Sequence, residues 1–299
     1  MDIGVITVNE SDYHPNRRLL EAAGEKGLRL GLINPYELSP GIHPEGLFMG
    51  DLNQRRMPPV VLPRQGAQIG ESSLTMLRQM AAGGAVLLND VSAILLARNK
   101  YLCLMTLASK GIAVPDTIFI NSARTLADSV RRLGGYPVVV KKPSGRQGSG
   151  VFLVESEEQA QAIVDAHLDA AQGLMLQQFL PPGDFSGGQE DGRTDLRVLV
   201  IGGRVMAAMA LAPPPGDFRA NFHLSQNSRP FDLPEPMAQT AAASAKALGL
   251  AIAGVDLILD GRGAARVIEV NYAPGFKGLE AATGMDIAGC IVDYAASFL

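Results

Sequence analysis

A glycine-rich segment between two apolar strands constrains the fold of this chain more than any other local feature. Residues 145–150 contain three glycines; Val138–Val140 precedes this segment, and Val151–Val154 follows it directly. Glycines lack a Cβ, so their backbone N–H groups can surround a phosphate closely. In dinucleotide-binding and P-loop motifs a helix follows the glycines, whereas here a strand follows. We therefore predict the tip of a β-hairpin that contacts a phosphate, with an ordinary glycine-rich turn as the alternative.

Lys141 ends the first of these two strands, directly after three valines. An ionised lysine is costly to bury unless an anion lies beside it. A bound phosphate would supply that anion, and a carboxylate of the chain itself is the alternative. Side chains alternate along a strand, so Lys142 is expected on the opposite, solvated face.

A predicted hairpin near the C-terminus carries three oxygen-bearing side chains, Asp256, Glu269 and Asn271. The hairpin is formed by two apolar runs joined by a turn at Gly261-Arg262, namely 253–260 and 265–271. In this register Asp256 lies opposite Val267, so that Glu269 and Asn271 share its side of the sheet. Three hard oxygen donors on an apolar hairpin are suited to Mg²⁺ held together with substrate phosphates. A polar edge that faces solvent is the alternative.

Arg219 follows a run of three prolines and Gly216-Asp217. A guanidinium group can bind phosphate oxygens with two hydrogen bonds and stays charged at all accessible pH values. We interpret Arg219 as a phosphate-binding candidate, with an ordinary surface arginine as the alternative.

Strands and helices alternate over about the first 90 residues, beginning with an apolar strand at 3–8, which predicts a Rossmann-like parallel sheet. No G-x-G-x-x-G follows that strand, which makes a nicotinamide site improbable. A later apolar run, 174–180, predicts another strand, and a helix is expected to end the chain.

Composition narrows the functional classes. The chain has 299 residues and a net charge of −4, which argues against nucleic-acid binding. Two cysteines, Cys103 and Cys290, are expected as buried free thiols, and the four histidines are not spaced as zinc ligands. The N-terminus lacks the features of a signal peptide, and no apolar run is long enough for a membrane span. We expect a soluble, cytoplasmic protein.

Taken together, these segments resemble the ATP-grasp superfamily and, within it, the RimK-like ligases that add glutamate to a ribosomal protein. The resemblance covers most of the chain and rests on the order and spacing of seven segments, namely 63–66, 97–100, 138–151, 195–198, 216–223, 253–256 and 269–275. It implies a mixed α/β (α+β) ATP-grasp fold with an N-terminal Rossmann-like domain. The implied division is residues 1–92 for that domain, 93–175 for a central subdomain with the glycine-rich lid, and 176–299 for a C-terminal subdomain with the metal site.

The resemblance also implies roles for individual residues. ATP phosphates would be contacted by Lys100, Lys141 and the lid residues Gly145, Gln147, Gly148, Ser149 and Gly150. Adenine would lie against Gln178, Phe179 and Leu180, and ribose near Asp195. The transferred phosphate would be reached by Arg219 and Asn221, and Arg219 and Lys141 would be catalytic. Asp256, Glu269 and Asn271 would bind Mg²⁺, with two ions expected and Mn²⁺ as an alternative metal.

The implied activity is ATP-dependent ligation of a carboxylate to an amine. The γ-phosphoryl group would pass to the carboxylate, and an amine would attack the resulting acylphosphate to form an amide. The carboxylate partner would be a small molecule or a peptide; nucleic-acid and membrane partners are not expected, and the oligomeric state stays open. Glutamate is one candidate for the added amine. Two alternatives stay open: an ATP-binding regulatory subunit without turnover, and an ATP-grasp enzyme with a non-amine acceptor.

Overall fold

The computed structural model describes residues 1–49, 57–66, 69–144, 150–180, 195–211, 228–259 and 264–299. The described residues form a mixed α/β structure with three larger sheets and a separate two-stranded hairpin. Six of the residues predicted to bind ligand lie outside the described residues, namely Gly145, Gln147, Gly148, Ser149, Arg219 and Asn221.

The first sheet is parallel, as the alternating pattern predicts, with strand order β2-β1-β5-β6. Its strands are β1 (Ile3–Ile6), β2 (Leu30–Ile33), β5 (Val60–Pro63) and β6 (Val86–Leu87), accompanied by helices α1 (His14–Glu25) and α2 (Glu71–Ala82). All four residues of β1 are buried, as expected for a strand covered on both faces. The predicted strand 3–8 ends at Ile6. After β1 the chain forms β2 on one side of β1, and later it forms β5 on the other side. The carboxyl ends of β1 and β5 therefore form a topological switch point, where open α/β sheets usually bind ligands.

A short antiparallel hairpin, β3 (Pro40–His43) with β4 (Gly46–Met49), was not predicted from the sequence. Its segments are short and carry no clear alternation of apolar and polar residues. Gln79 in α2 holds the hairpin, donating from Nε2 to the carbonyl oxygens of Gly41 at 3.1 Å and Phe48 at 2.6 Å.

The second sheet is antiparallel, in the order β7-β10-β8-β9. Its strands are β7 (Thr117–Ile120), β8 (Val138–Lys141), β9 (Val151–Val154) and β10 (Leu174–Gln178), and its helices are α5 (Leu126–Arg132) and α6 (Glu157–His167). β8 pairs directly with β9, and Lys141 lies opposite Val151, so the hairpin predicted around the glycine-rich segment is confirmed. The predicted strand 174–180 ends two residues early, so that Leu180 follows it. The sheet and its helices bury a hydrophobic cluster of their own.

The third sheet is antiparallel, in the order β13-β12-β11-β14-β15. Its strands are β11 (Asp195–Ile201), β12 (Arg204–Leu211), β13 (Ser228–Pro230), β14 (Ile252–Leu259) and β15 (Ala265–Asn271). The helices around it are α3 (Val91–Arg98), α4 (Lys100–Ser109), α7 (Glu235–Ala247), α8 (Lys277–Thr283) and α9 (Ile287–Ala296). A helix, α9, ends the chain as expected, and the sequence did not predict α8 before it. The two helices are separate because Gly284 adopts φ 69° at the end of α8 and Asp286 caps α9 by accepting from the Gly289 N–H.

The first and third sheets share their hydrophobic cores. One cluster joins Ile6 and Val61 of the first sheet to Val198 and Val255 of the third, and a second cluster joins the opposite faces together with α8 and α9. Asn89, which is 1% exposed, bonds across this junction. Its Nδ2 donates to the carbonyl oxygens of Ile252 and Tyr272 at 2.7 Å each, and its Oδ1 accepts from the N–H groups of Ala251 and Ile252.

Among the described residues, no single helix is both long and apolar enough to cross a membrane. Helices α3 and α4 meet that criterion only as a pair, and they are bent by 104° relative to each other. Both cysteines are free thiols. Cys103 is buried as predicted, and burial raises its pKa to about 12. Cys290, in contrast, is only partly buried, because it lies near the exposed side of α9.

Candidate active site

Lys141 lies at the end of β8, where the chain leaves the second sheet for the glycine-rich segment. Its Nζ donates to Gln177 Oε1 at 2.6 Å, and Gln177, which is 3% exposed, donates in turn to Thr117 Oγ1 at 2.9 Å. The sequence predicts an anion beside Lys141; the hydrogen bond described here goes to a neutral amide of the neighbouring strand, and the nearby negative charge is that of Glu269, whose pKa Lys141 lowers. This chain of hydrogen bonds fixes the position of the ammonium group.

Lys100 is the first residue of α4, and Asn99 caps this helix by accepting from the N–H groups of Tyr101 and Leu102. The backbone N–H of Lys100 donates to the carbonyl oxygen of Pro143 at 2.8 Å. The start of α4 is thereby attached to the segment that follows β8. Lys100 and Lys141, which are 41 positions apart in the sequence, approach the same region from two elements.

Glu269 is the carboxylate that this region presents to the two lysines. Its Oε1 lies 2.5 Å from Lys100 Nζ, and its side chain is 35% exposed against 15% for Lys100. Burial by itself would raise the pKa of Glu269, but Lys100 first, and then Lys141 and Arg197, hold it below its usual value. The carboxylate is therefore ionised at neutral pH.

Asp256 lies directly across from Glu269 on the neighbouring strand, and it is held by Arg197 of β11. Arg197 Nε donates to Asp256 Oδ1 at 2.8 Å and Nη2 donates to Oδ2 at 2.7 Å, a bidentate pair whose side chains are 18% and 13% exposed. Burial by itself would lower the pKa of Arg197, but Asp256 raises it above its usual range. The Arg197 guanidinium group therefore stays charged, and the geometry of the pair fixes the orientation of the Asp256 carboxyl group.

A β-bulge decides which way Glu269 and Asn271 point, and here the register expected from the sequence is wrong. Leu257, not Asp256, lies opposite Val267, and the register shifts so that Asp256 lies opposite Glu269 and Gly254 opposite Asn271. The extra residue is Ile268. Without it, Glu269 and Asn271 would point to the apolar face that buries Val255 and Val267; the bulge turns them to the side of Asp256.

The three predicted metal ligands therefore share one face, although for a different reason from the predicted one. Asn271 Nδ2 lies 3.4 Å from Asp256 Oδ2, and Asp256 and Glu269 are paired residues. The same face of β11 carries Asp195 and Arg197 at one end and the apolar Leu199 and Ile201 at the other, which pack in the cluster of α8 and α9. On β11, the polar residues of this face thus lie toward Asp256, and the apolar ones lie toward α8 and α9.

The donor set fits a hard divalent cation. Two carboxylates and an amide oxygen are ligands that Mg²⁺ prefers, and an ionised carboxylate can accept from an arginine or lysine and still bind a metal through its remaining lone pairs. Among the described residues, Arg197 forms an ion pair with Asp256 and Lys100 forms one with Glu269. The residues present are therefore compatible with Mg²⁺. They are also compatible with a phosphate that would bind Lys100 in place of Glu269.

The residues expected around adenine and ribose lie at the end of β10, in the second sheet, and at the start of β11, in the third. Gln178 ends β10 and its N–H donates to the carbonyl oxygen of Asp116 at 2.8 Å; Phe179 is partly buried and Leu180 is 8% exposed. Asp195 begins β11 and is also 8% exposed. Gly150, at φ 79°, precedes β9, and its carbonyl oxygen accepts from the Lys142 N–H at 3.0 Å.

Two residues of this region had no role in the sequence analysis. Arg197 stands near the predicted Asp195, but the carboxylate that it binds is 59 positions away, and only the pairing of β11 with β14 brings them together. Gln177 precedes the predicted Gln178, and alternation along β10 could have indicated that the two point to opposite faces.

Comparison with known proteins identifies the family to which this chain is similar. A family model of the RimK-like ATP-grasp domain matches residues 97–295. A curated relative named "Probable alpha-L-glutamate ligase 2", from Shewanella amazonensis, is 35% identical over 301 residues, with 98% of this chain and 95% of the relative covered.

Two solved structures share the fold. The ATP-grasp ligase PsnB complexed with minimal precursor, Mg and ADP has a TM-score of 0.75 at 18% identity, with 99% of this chain and 97% of that chain covered. The D-alanine–D-alanine ligase of Bacillus anthracis complexed with ATP has a TM-score of 0.70 at 17% identity, with coverage of 99% and 96%. At these identities the likeness concerns the fold alone.

Proposed function

Because the chain belongs to the RimK-like ATP-grasp family and is an ATP-dependent carboxylate–amine ligase, we propose that it joins L-glutamate to the carboxylate of a peptide or small molecule. Glutamate comes from the name of the curated relatives, and a peptide partner is supported by the precursor named in the PsnB structure. A cytoplasmic location and the division at residues 1–92, 93–175 and 176–299 are parts of the same proposal.

The observation that carries the proposal is the pair of ion pairs at the end of the third sheet. Lys100–Glu269 and Arg197–Asp256 lie side by side, and Lys141 is near enough to lower the pKa of Glu269. If these charged residues only stabilised the fold, one isolated ion pair would be enough. Here Lys100 and Glu269 can each exchange the other for a ligand of opposite charge, a phosphate for the lysine and a cation for the glutamate.

We assign the roles accordingly. Lys100 and Lys141 bind ATP phosphates, while Gln178, Phe179 and Leu180 hold adenine and Asp195 the ribose. Asp256, Glu269 and Asn271 would hold Mg²⁺, in two ions, with Mn²⁺ as a substitute. Bound Mg²⁺ would supply positive charge that offsets the repulsion between triphosphate and carboxylate. Gly145, Gln147, Gly148, Ser149 and Gly150 would close over the phosphates, and Arg219 with Asn221 would reach the transferred group.

The reaction requires no nucleophile from the protein. The substrate carboxylate attacks the γ-phosphorus of ATP, ADP leaves, and an acylphosphate is formed. The glutamate amine then attacks the acyl carbon, phosphate leaves, the amine loses a proton, and an amide remains. Positioning and charge neutralisation by Lys100, Lys141 and Arg219 are the contributions of the side chains.

The experiment measures ADP release and product mass with ATP, Mg²⁺, L-glutamate and a panel of peptides and small carboxylates. We expect ADP release that depends on both substrates, and an amide product that has lost one water relative to them. Lys100→Met and Glu269→Gln should each lower turnover roughly 100-fold, because each removes a preorganised charge. Lys110→Met, at the exposed end of the same helix, and Glu45→Gln, on the exposed β3–β4 hairpin, are the matched controls and should leave the rate unchanged.

Three results would contradict the proposal. ATP binding without any ADP release would favour a regulatory subunit, and a product that retains phosphate would favour a non-amine acceptor. Normal turnover in both Lys100→Met and Glu269→Gln would refute the site assignment.

A further inference from the structure

Arg64 and Gln65 follow β5 directly, at the carboxyl end of the first sheet. The Arg64 N–H donates to the carbonyl oxygen of Ile6, the last residue of β1, at 2.8 Å, so both residues lie at the switch point between β1 and β5. Ligands of open parallel sheets bind at this kind of crevice. The phosphate and metal residues described above lie on other elements and leave this end of the sheet without a role.

Arg64 is a buried cation without a carboxylate partner among the described residues. Its Nη2 donates to the carbonyl oxygen of Pro274 at 2.7 Å and its Cζ lies 5.5 Å from the centre of the Phe276 ring, but its Nη1 is buried and makes no hydrogen bond. Desolvation lowers the pKa of Arg64 to about 10, and Tyr13 raises it slightly, so the group stays charged at neutral pH. A buried charge of this kind is costly unless an anion joins it.

Other buried polar atoms without partners are concentrated at the same place. Gln65 is 5% exposed, and neither its Oε1 nor its Nε2 has a hydrogen-bond partner in the described structure. His14 Nδ1 is also buried without a partner, and the His14 ring contacts the ring of Phe276, the residue over which Arg64 lies. Among the described residues, the remaining orphaned atom is Ser73 Oγ, on α2. Orphaned polar groups are rare in native structures, so this concentration indicates a missing polar ligand.

The acidic groups nearby are already paired. Glu280 lies 3.5 Å from His14 Nε2 and 3.4 Å from Arg18 Nε, and Arg18 also binds Glu21 and Asp286. Desolvation lowers the pKa of His14, which leaves its ring neutral at neutral pH, while Glu280 opposes that shift. The charge left uncompensated is therefore positive, and the missing ligand is expected to be an anion.

This location is attached to the proposed reaction site through the chain after β15. Arg64 bonds to Pro274, three residues beyond the predicted metal ligand Asn271, and the hydroxyl of Tyr272 donates to the carbonyl oxygen of Gly66. Three residues span at most about 11 Å between Cα atoms. A ligand bound at Arg64 would therefore lie beside the segment that leads back to Asn271.

We propose that Arg64 and Gln65 form the subsite for the α-carboxylate of the incoming amino acid, which in the proposed function is L-glutamate. The free Nη1 of Arg64 donates to one carboxylate oxygen, and the Gln65 amide offers a donor and an acceptor beside it. The α-carboxylate and the amine are attached to the same carbon, so anchoring the carboxylate orients the amine for attack. This inference rests on the proposed function for the identity of its ligand.

The test compares three probes on the full-length enzyme: L-glutamate, its α-amide and its γ-amide. For the wild type we expect the KM for the α-amide to be at least about 30-fold higher than the KM for L-glutamate, because the α-amide has no α-carboxylate to bind Arg64. The γ-amide keeps that carboxylate and should bind about as well as L-glutamate. The opposite order of the two amides would place the side-chain carboxylate at Arg64 and would overturn the α-carboxylate assignment.

Arg64→Met should raise KM for L-glutamate at least about 30-fold while KM for ATP changes less than about threefold, and Arg64→Lys should recover part of the loss. Gln65→Leu should raise the same KM about fivefold and serves as the second variant if Arg64→Met fails to fold. Arg29→Met, at the opposite end of the same sheet, is the matched control. A fall in thermal stability or kcat with an unchanged KM for L-glutamate would show a purely structural role and overturn the proposal.

Titration calorimetry of L-glutamate without ATP separates this inference from the proposed function. If the wild type binds L-glutamate but forms no amide, and Arg64→Met abolishes the binding, the subsite stands and the ligase substrate assignment fails. If amide forms normally and Arg64→Met binds L-glutamate as the wild type does, the ligase proposal stands and the subsite is refuted. Absence of wild-type binding to L-glutamate both alone and with a non-hydrolysable ATP analogue would also refute the subsite.

Discussion

Two carboxylates that face each other across a strand pair repel unless each has a cation of its own. Asp256 and Glu269 are such a pair, and the chain supplies Arg197 to the first and Lys100 to the second. The two cations differ in kind. Arg197 is fixed by two hydrogen bonds in one plane, whereas Lys100 is a single charge on a flexible stem. The former is suited to holding a ligand in place and the latter to changing partners.

Replacing Arg197 by Met tests the positioning role. The substitution leaves the buried carboxyl group of Asp256 beside Glu269 without its two hydrogen bonds, so we expect the free energy of unfolding to fall by about 3 kcal/mol in urea denaturation. The Mg²⁺ concentration for half-maximal ADP release should rise about tenfold or more, because an orienting partner of a ligand is lost. Arg17→Met breaks an exposed pair with Glu21 and should cost less than about 1 kcal/mol. An unchanged Mg²⁺ dependence in Arg197→Met would exclude the positioning role.

Glu269 also predicts a pH dependence of stability. Its pKa in the folded protein lies below the usual value of 4.5, so its stabilising effect is complete above pH 4.5 and is lost as the pH falls through the folded-state pKa. Glu269→Gln cannot titrate. The difference in unfolding free energy between the wild type and Glu269→Gln should therefore shrink as pH falls below 4.5. The effect should be modest, since the side chain is 35% exposed. A difference that stays constant from neutral pH down to below the folded-state pKa in urea titrations would contradict the assignment.

At the level of elements, the bulge at Ile268 and the close packing of β14 set the site together. Gly254 lies opposite Asn271, and a Cβ at Gly254 would lie 2.7 Å from Pro274 Cβ and 3.8 Å from Asn271 Cβ. The absence of a side chain thus allows the segment after β15 to fold back over β14. Both the predicted metal ligand and the Arg64 contact depend on the path of that segment.

Gly254→Ala should therefore displace the segment 272–275. We expect a loss of about 1–3 kcal/mol in unfolding free energy, because the new methyl group meets the Pro274 ring. Turnover should fall together with stability. Gly24→Ala is the matched control: Gly24 lies in α1 with open space where the new methyl group would stand, and the substitution should stabilise by up to about 1 kcal/mol. Wild-type stability and turnover in Gly254→Ala would show that the segment does not need this close approach.

For the whole molecule, the decisive feature is that the first and third sheets are built on common hydrophobic clusters, while the second sheet buries a cluster of its own. Asn89 connects the first and third sheets with four hydrogen bonds to backbone groups of residues 251, 252 and 272. These hydrogen bonds are fully buried. A side chain at position 89 that could not form them would therefore leave buried polar groups unpaired and would lower the stability of the fold.

Asn89→Asp keeps the size of the side chain but replaces the donating NH₂ by an oxygen. Two buried carbonyl groups would then lose their donor and face a carboxylate, so we expect a destabilisation of about 3 kcal/mol or more in urea denaturation. Asn34→Asp is the control, since the side-chain hydrogen bonds described for Asn34 go to Tyr36 and Glu37 in its own turn. This substitution should cost less than about 1 kcal/mol. Equal stability of the two variants would show that the Asn89 network does not hold the sheets together.

Much of the fold followed from local patterns. Strand and helix periodicity predicted the parallel first sheet, the hairpin around the glycine-rich segment and the C-terminal strand pair, because these features depend on neighbouring residues and on one buried face. The β3–β4 hairpin and the break between α8 and α9 were missed, since the first lacks alternation and the second depends on one left-handed glycine. The resemblance to the RimK-like ligases rested on motif order and was confirmed by the family match.

The chain by itself therefore determined which residue types the strands carry: a lysine after three valines, and Asp256, Glu269 and Asn271 on two consecutive strands. Only the tertiary structure decided how they meet. The bulge at Ile268 turned two of them away from the apolar core, Arg197 reached Asp256 from 59 residues away, and Arg64 met the segment after β15 from 210 residues away. Periodicity reports the face of a strand, but the register between strands and the contacts between distant segments arise from packing that no local pattern contains.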